Sequence, residues 1–140
     1  MATTAALDRG ISDAARETGL TAHTLRYYER AGLMLEPVGR APSSHRRYSD
    51  ADVRWVVLLT KLRRTGMPIR QIKQYADLVR AGRGNEERRL ALLEEHRAQV
   101  LDRLREVQQN LEAIDHKITV YRECSLERSA AAGNDQRTAA

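Results

Sequence analysis

The sequence predicts a mainly α-helical fold, a winged helix-turn-helix followed by one long dimer-forming helix. Three observations predict it. Two short helical segments flank the tight turn Gly19-Leu20-Thr21. One stretch rich in Pro, Gly and Ser, EPVGRAPSSHRRYSD, interrupts the helical pattern. From Leu90 onward apolar residues recur with strict 3-4 spacing. Composition agrees. Apolar residues are 41% of the 140, but aromatics are only 4%, with no Phe and one Trp. A single large core usually draws on Phe and Trp, so Leu, Val, Ile and Ala must do most of the burying, as in helical assemblies.

Residues 1–10 read as a flexible leader. Ser12 reads as an N-cap, opening a short helix that Gly19 stops. Thr21 is a second N-cap, opening AHTLRYYERAG, which ends at Gly32. Ile11, Ala15, Leu20 and Leu25 are spaced to form a small internal core between these helices. Two extended pieces, near Glu36-Pro37-Val38 and Arg46-Arg47-Tyr48, form a wing around a turn. Ser49 caps a third helix with apolar Val53, Val56, Val57, Leu59 and Leu62, ended by Gly66. Pro68 sits early in a fourth, where proline is tolerated, and its Ile69, Ile72, Ala76 and Val79 fall near one face. This compact domain spans residues 11–81, and residues 82–85, Gly-Arg-Gly-Asn, form a hinge.

The helix from about 86 to 123 carries the clearest periodicity. Leu90, Leu93, Arg97, Val100, Leu104, Val107, Leu111, Ile114, Ile118 and Tyr121 form a heptad seam broken only by Arg97. At 1.5 Å per residue the helix is roughly 57 Å long. The rest of the chain offers no partner of that length, so the seam is expected to pair with a second copy. Leu93, Val100, Leu104, Val107, Leu111, Ile114, Ile118 and Tyr121 are its dimerisation residues. An antiparallel pairing lets Glu94 face Arg122, whereas a parallel one brings Lys117 toward Arg122, which tilts the choice toward antiparallel. Residues 124–140, small and polar, read as a disordered tail.

Several classes of protein are excluded. No apolar run approaches the ~20 residues that cross a bilayer, so no membrane partner is expected. The first ten residues lack the apolar core of a secretory signal. The single cysteine, Cys124, rules out an intramolecular disulfide framework. A cytoplasmic protein is the simplest reading. There is no Gly-rich phosphate loop, nucleophile elbow or plausible carboxylate pair, so no enzyme is expected and no cofactor. One thiolate falls far short of the roughly four ligands of a zinc site, and no metal site is expected.

Charge points to a polyanion. Residues 1–80 hold fourteen Lys/Arg against eight Asp/Glu, whereas residues 81–140 are almost balanced. The second helix has an apolar side that needs only Leu25 and one tyrosine. Arg26 and a neighbouring Tyr can therefore face outward, where Arg reads guanine bidentately and a tyrosine hydroxyl holds a phosphate. Thr21 and Thr24 add hydroxyls and backbone N–H groups at that helix's open end. His45-Arg46-Arg47-Tyr48 project from the wing, and Arg63 and Arg64 add a third cationic corner.

With these residues in place, TLRYYERAGL, RRYSDADV and LRRTGMPIRQI followed by the heptad helix resemble the MerR family of bacterial transcription regulators, over about residues 10–123. The resemblance implies a winged helix-turn-helix and a homodimer held by an antiparallel coiled coil. It implies binding to an inverted repeat in a long promoter spacer, which the dimer bends and untwists so that RNA polymerase engages both promoter elements. It also implies that Arg26 and Tyr27 are recognition-helix contacts, that Tyr28 touches the DNA backbone, and that Arg46, Arg47 and Tyr48 belong to the wing and Arg63 to a second wing. Two departures stand out. Ser44-His45 precedes the arginine pair where many relatives have Gly-Tyr. The stretch from Trp55 to Arg122 looks most like the aldehyde- and thiol-stress branch, yet Thr60-Lys61-Leu62 occupies the region of that branch's cysteine. The effector is left open. The alternative function is a DNA-bending architectural or excisionase-like module, which would need no long dimer arm.

Overall fold

The computed structural model describes residues 8–41 and 45–138. Most of the expected leader, and Pro42, Ser43 and Ser44 at the wing tip, lie outside the described residues. The chain divides into two compact units, Met1–Arg97 and Ala98–Ala140. The elements in order are α1 (Ile11–Thr18), α2 (Ala22–Arg30), β1 (Gly39–Arg40), β2 (Arg46–Arg47), α3 (Asp50–Arg64), α4 (Ile69–Arg80) and α5 (Glu86–Thr138). The first unit holds everything up to the opening turns of α5.

α1 begins one residue before Ser12, so Ser12 is not its cap. Gly10 is the N-cap in an extended conformation, and no side chain bonds the first N–H groups. What fixes the start is the residue before it. Arg9 pairs with Tyr48 across an antiparallel bridge, with N–H···O distances of 2.9 and 2.8 Å. The Arg9 guanidinium also meets Glu17 at 3.2 Å and bonds Asp50. The end of the leader is thus tied to the wing, α1 and α3. Gly19 closes α1 at φ 71°, a left-handed conformation that strains any residue with a Cβ. Thr21 caps α2 as expected, its hydroxyl accepting from the Thr24 N–H at 3.1 Å.

The wing is shorter and later than the sequence suggested. β1 is Gly39–Arg40, not 36–38, and pairs antiparallel with β2 in the register Gly39↔Arg47, Arg40↔Arg46. Pro37 has no N–H to give a ladder, and Val38 is turned into the core instead. Ser49 and Asp52 form a reciprocal capping box at the start of α3: Asp52 N–H donates to Ser49 Oγ at 3.1 Å, and Ser49 N–H donates to Asp52 Oδ2 at 2.9 Å. Ser49→Ala removes one of these bonds. It should destabilise the domain by about 1 kcal/mol, read as a lower urea midpoint with unchanged slope. Pro68 is the N-cap of α4, and the helix proper begins at Ile69.

The core sits where α1, α2, α3 and α4 converge. Leu25, Leu33, Val56, Leu59, Met67 and Ile72 are fully buried there. Ile11, Ala15 and Leu20 are half-buried at its edge. The lone tryptophan, Trp55, is taken in as well. Its ring stacks on Tyr75 with centroids 5.7 Å apart, and its Nε1–H donates to the Leu33 carbonyl at 2.8 Å.

The turn into α5 is braced. Gly82 and Gly84 take φ of 86° and 101°. Asn85 donates to the Leu78 carbonyl and accepts from Arg89 Nε, both at 2.7 Å. Arg89 also reaches the Gly82 carbonyl at 3.1 Å. Gly84 N–H donates to the Glu86 carboxylate at 2.9 Å, and such backbone bonds hold the Glu86 carboxyl below its ordinary pKa. The first turns of α5 pack on the domain core through Leu92 and Leu93. His96 is buried beside them, its Nε2 2.8 Å from the Thr65 hydroxyl. The compact unit thus runs past the expected boundary at 81. In the second unit the helix does not stop at 123. It continues to Thr138 through Ala130-Ala131-Ala132, whose high helix propensity carries it past the expected start of the tail. Among the described residues no helix is long and apolar enough to cross a membrane.

Candidate nucleic-acid interface

α2 sorts its two tyrosines. Leu25 and Tyr28 face the core, and Tyr28 is 4% exposed; Tyr27 stands outward at 41%. Helical geometry then puts Arg26 on the open side, and it is exposed. Tyr28, for which the family resemblance implies a contact with the DNA backbone, thus has most of its ring in the core of the single chain. Tyr48 is buried too, at 1% exposed, and among the described residues its hydroxyl has no hydrogen-bond partner. Burial pushes that hydroxyl's pKa up and Glu29 adds to the rise, while Arg46 and Arg26 pull it down. Tyr48 belongs to the core cluster, and its backbone is bridged to Arg9.

A cleft of about 590 Å³ lies between α2, the start of α1 and the wing. Arg26 lines it from α2, Ser12 from α1, and Arg40, His45, Arg46 and Arg47 from the wing. Of these, Arg40 was not singled out from the sequence. The residues opening α1 have no side-chain cap, so backbone N–H groups add to this cationic wall. Thr21 and Thr24 place two hydroxyls, 2.9 Å apart, at the start of α2.

The arginines are not equivalent. Arg47 is exposed. Arg46 is half-buried and its Nε lies 2.5 Å from Glu29 Oε2. Arg40 Nη2 lies 3.4 Å from the other Glu29 oxygen. Sequence reasoning missed Glu29 altogether. Its one signal is that it is the sole acid on α2. Arg63 is exposed at the end of α3, where Nη1 donates to the Met67 carbonyl at 3.4 Å, and Arg64 is exposed beside it.

The chain matches known proteins over nearly all of this architecture. The model of the MerR HTH family regulatory protein covers residues 10–79, and that of the MerR DNA-binding region covers 53–117. The chain belongs to the MerR family. It is a MerR-type DNA-binding transcriptional regulator, not an enzyme. An uncharacterised HTH-type transcriptional regulator of Haemophilus influenzae is 35% identical over 86% of this chain and 89% of its own. The regulator AdhR of Bacillus subtilis is 36% identical over 66% of this chain and 65% of its own length. A MerR family regulator of Listeria monocytogenes superposes with a TM-score of 0.82 at 31% identity, over 92% of this chain and 98% of that one. HiNmlR, a MerR family regulator lacking the sensor domain and solved bound to promoter DNA, superposes with a TM-score of 0.76 at 33% identity, over 84% of this chain and 92% of that one.

Within this MerR fold the seam residues fall into two groups. Leu93 is half-buried on the core of the first unit, so part of its surface serves the domain. In the second unit Leu104, Val107, Leu111, Ile114, Ile118 and Tyr121 are between 41% and 68% exposed, and Val100 is half-buried.

Proposed function

We propose that the protein works as a cytoplasmic homodimer on double-stranded promoter DNA. The seam from Val100 to Tyr121 closes an antiparallel coiled coil, and the two winged domains take the halves of an inverted repeat. The cationic cleft between α2 and the wing carries this reading: Arg26, His45 and Arg47 line it together with Arg40 and Arg46, which keep a net positive charge after pairing with Glu29, where a recognition helix meets a groove. Arg26 reads a base edge and Tyr27 stands beside it. Thr21, Thr24, Arg47, Arg63 and the open end of α1 hold phosphates. The relative HiNmlR was solved on promoter DNA, which supports the choice of partner. The dimer bends and untwists the promoter spacer so that RNA polymerase engages both of its elements.

The test is footprinting and binding of the full chain on the region upstream of its own operon, followed by open-complex formation with RNA polymerase. Protection of an inverted repeat in the promoter spacer, with a change in open-complex formation, is the expected result. Binding without sequence preference and without any effect on RNA polymerase would identify an architectural DNA-bending module instead.

Cys124 is exposed on α5. Reactive cysteines sit in electropositive pockets that activate the thiol, whereas Cys124 lies on the open surface of a helix. Cys124→Ser is therefore expected to leave promoter output unchanged under aldehyde, disulfide and peroxide stress. Loss of a wild-type response in that variant would make Cys124 the sensor.

A further inference from the structure

We infer that Glu29 is a positioning residue, whose carboxylate takes Arg40 and Arg46 out of DNA contact and locks the wing to the recognition helix. The inference rests on the DNA-binding reading above and deepens it.

The wing is a ribbon of two-residue strands, and so short a ribbon is marginal by itself. Its register makes matters worse. Arg40 and Arg46 are direct cross-strand partners, and like charges placed opposite each other destabilise a ladder. Glu29 resolves the conflict from outside the ribbon. One carboxylate oxygen takes Arg46 and the other takes Arg40, so a single acid on α2 neutralises the clash and ties both strands to the helix. The Glu29 side chain is 21% exposed and that of Arg46 24%, so their charge-assisted bond is shielded and holds geometry well, while Arg40, at 47%, makes the longer and more exposed bond.

The same arrangement explains why an acid is found on this face at all. Glu29 lies three residues after Arg26, hence on the same side of α2, and a bare carboxylate there would repel phosphate. With two arginines upon it, the trio carries one net positive charge. Side chains alternate along a strand: half-buried Arg46 is on Glu29, while its neighbour Arg47 is exposed. The wing thus divides its arginines. Arg40 and Arg46 set the position of the ribbon, and Arg47 is left to work with Arg26.

The salt dependence of DNA binding separates these roles, because each arginine on a phosphate adds about 0.9 to the slope of log K against log salt. The full chain is titrated by fluorescence anisotropy with an operator duplex and a random duplex. Circular dichroism confirms that each variant is folded. Arg46→Ala is expected to leave the wild-type slope unchanged within about 0.3. Glu29→Gln is expected to steepen it by about 0.9–1.8, as one or two freed arginines move to phosphate. That variant should also bind random DNA more tightly, and its operator preference should fall about tenfold. In Glu29→Gln with Arg46→Ala the steepening should be no more than about 0.9.

Arg46→Ala that alone flattens the slope by about 0.9 overturns the inference, since Arg46 would then be on a phosphate. So does a Glu29→Gln slope equal to wild type. If Glu29→Gln does not fold, Arg46→Ala decides the matter by itself. A wild-type chain with neither operator preference nor salt-dependent binding sinks the DNA reading as a whole, a result distinct from failure of the latch.

Discussion

Leu104→Asp combined with Leu111→Asp is expected to leave the protein monomeric and to abolish operator binding. Both leucines lie on the heptad seam and are about half exposed in the single chain, at 49% and 51%. Burying a leucine stabilises an interface by about 1.5–3 kcal/mol, and both protomers lose two of them. The replacements add a further cost, because a carboxylate in an apolar seam must be desolvated without a partner. The binding consequence follows from geometry. A dimer presents its second recognition helix to the second half-site as an intramolecular event, with an advantage of about 10²–10⁴ over separate domains. Sedimentation equilibrium measures the assembly, and gel shift measures the operator complex. Leu126 supplies the control. It is 70% exposed on the same helix but falls off the 3-4 register, so Leu126→Asp should leave the dimer intact. A double variant that still sediments as a dimer would sink the coiled-coil assignment.

What could be read from the chain is what local chemistry decides. The Thr21 and Ser49 caps, the Gly19 stop and the 3-4 spacing of the seam each depend on residues a few positions apart, and each is recognisable without knowing the fold. Ser12 shows the limit: it has the chemistry of a cap, but the start of α1 is set by Arg9, which is held by Tyr48 some forty residues away. The tyrosine pair shows it again. Sequence requires one of Tyr27 and Tyr28 to face inward, and only the position of the packed core decides that it is Tyr28. Glu29 was invisible for the same reason. Its meaning lies in a cross-strand register between Arg40 and Arg46, and hydrophobic patterning says nothing about a ribbon whose paired residues are glycine and arginine. His96 is off the seam and reads as one more polar position of a long helix. Its burial against Thr65 appears only once α5 is folded back onto the end of α3. The helix beyond Glu123 is the reverse case: small polar composition suggested disorder, while the alanine run supplies enough propensity to continue the backbone ladder.

Arg26→Ala is expected to lower operator affinity by about 5- to 150-fold, or about 1–3 kcal/mol, and to relax sequence preference at one position in each half-site. Arg26 is the exposed arginine of α2 on the cleft. It is followed by exposed Tyr27 and backed by buried Leu25, so the helix presents it by its own packing. A bidentate arginine–guanine pair is lost with the wrong base as well as with the wrong side chain, so the variant should bind an operator mutated at that base as well as it binds the original. Arg47→Ala gives the contrasting pattern. An arginine that touches only phosphate lowers affinity for operator and random DNA alike and reduces the salt slope by about 0.9. The two variants are compared by salt-titrated binding to the operator, to single-base operator variants and to random duplex. Equal loss on operator and random DNA in Arg26→Ala would show that Arg26 is a phosphate contact and move base reading elsewhere on α2, with exposed His23 and Arg30 the next candidates.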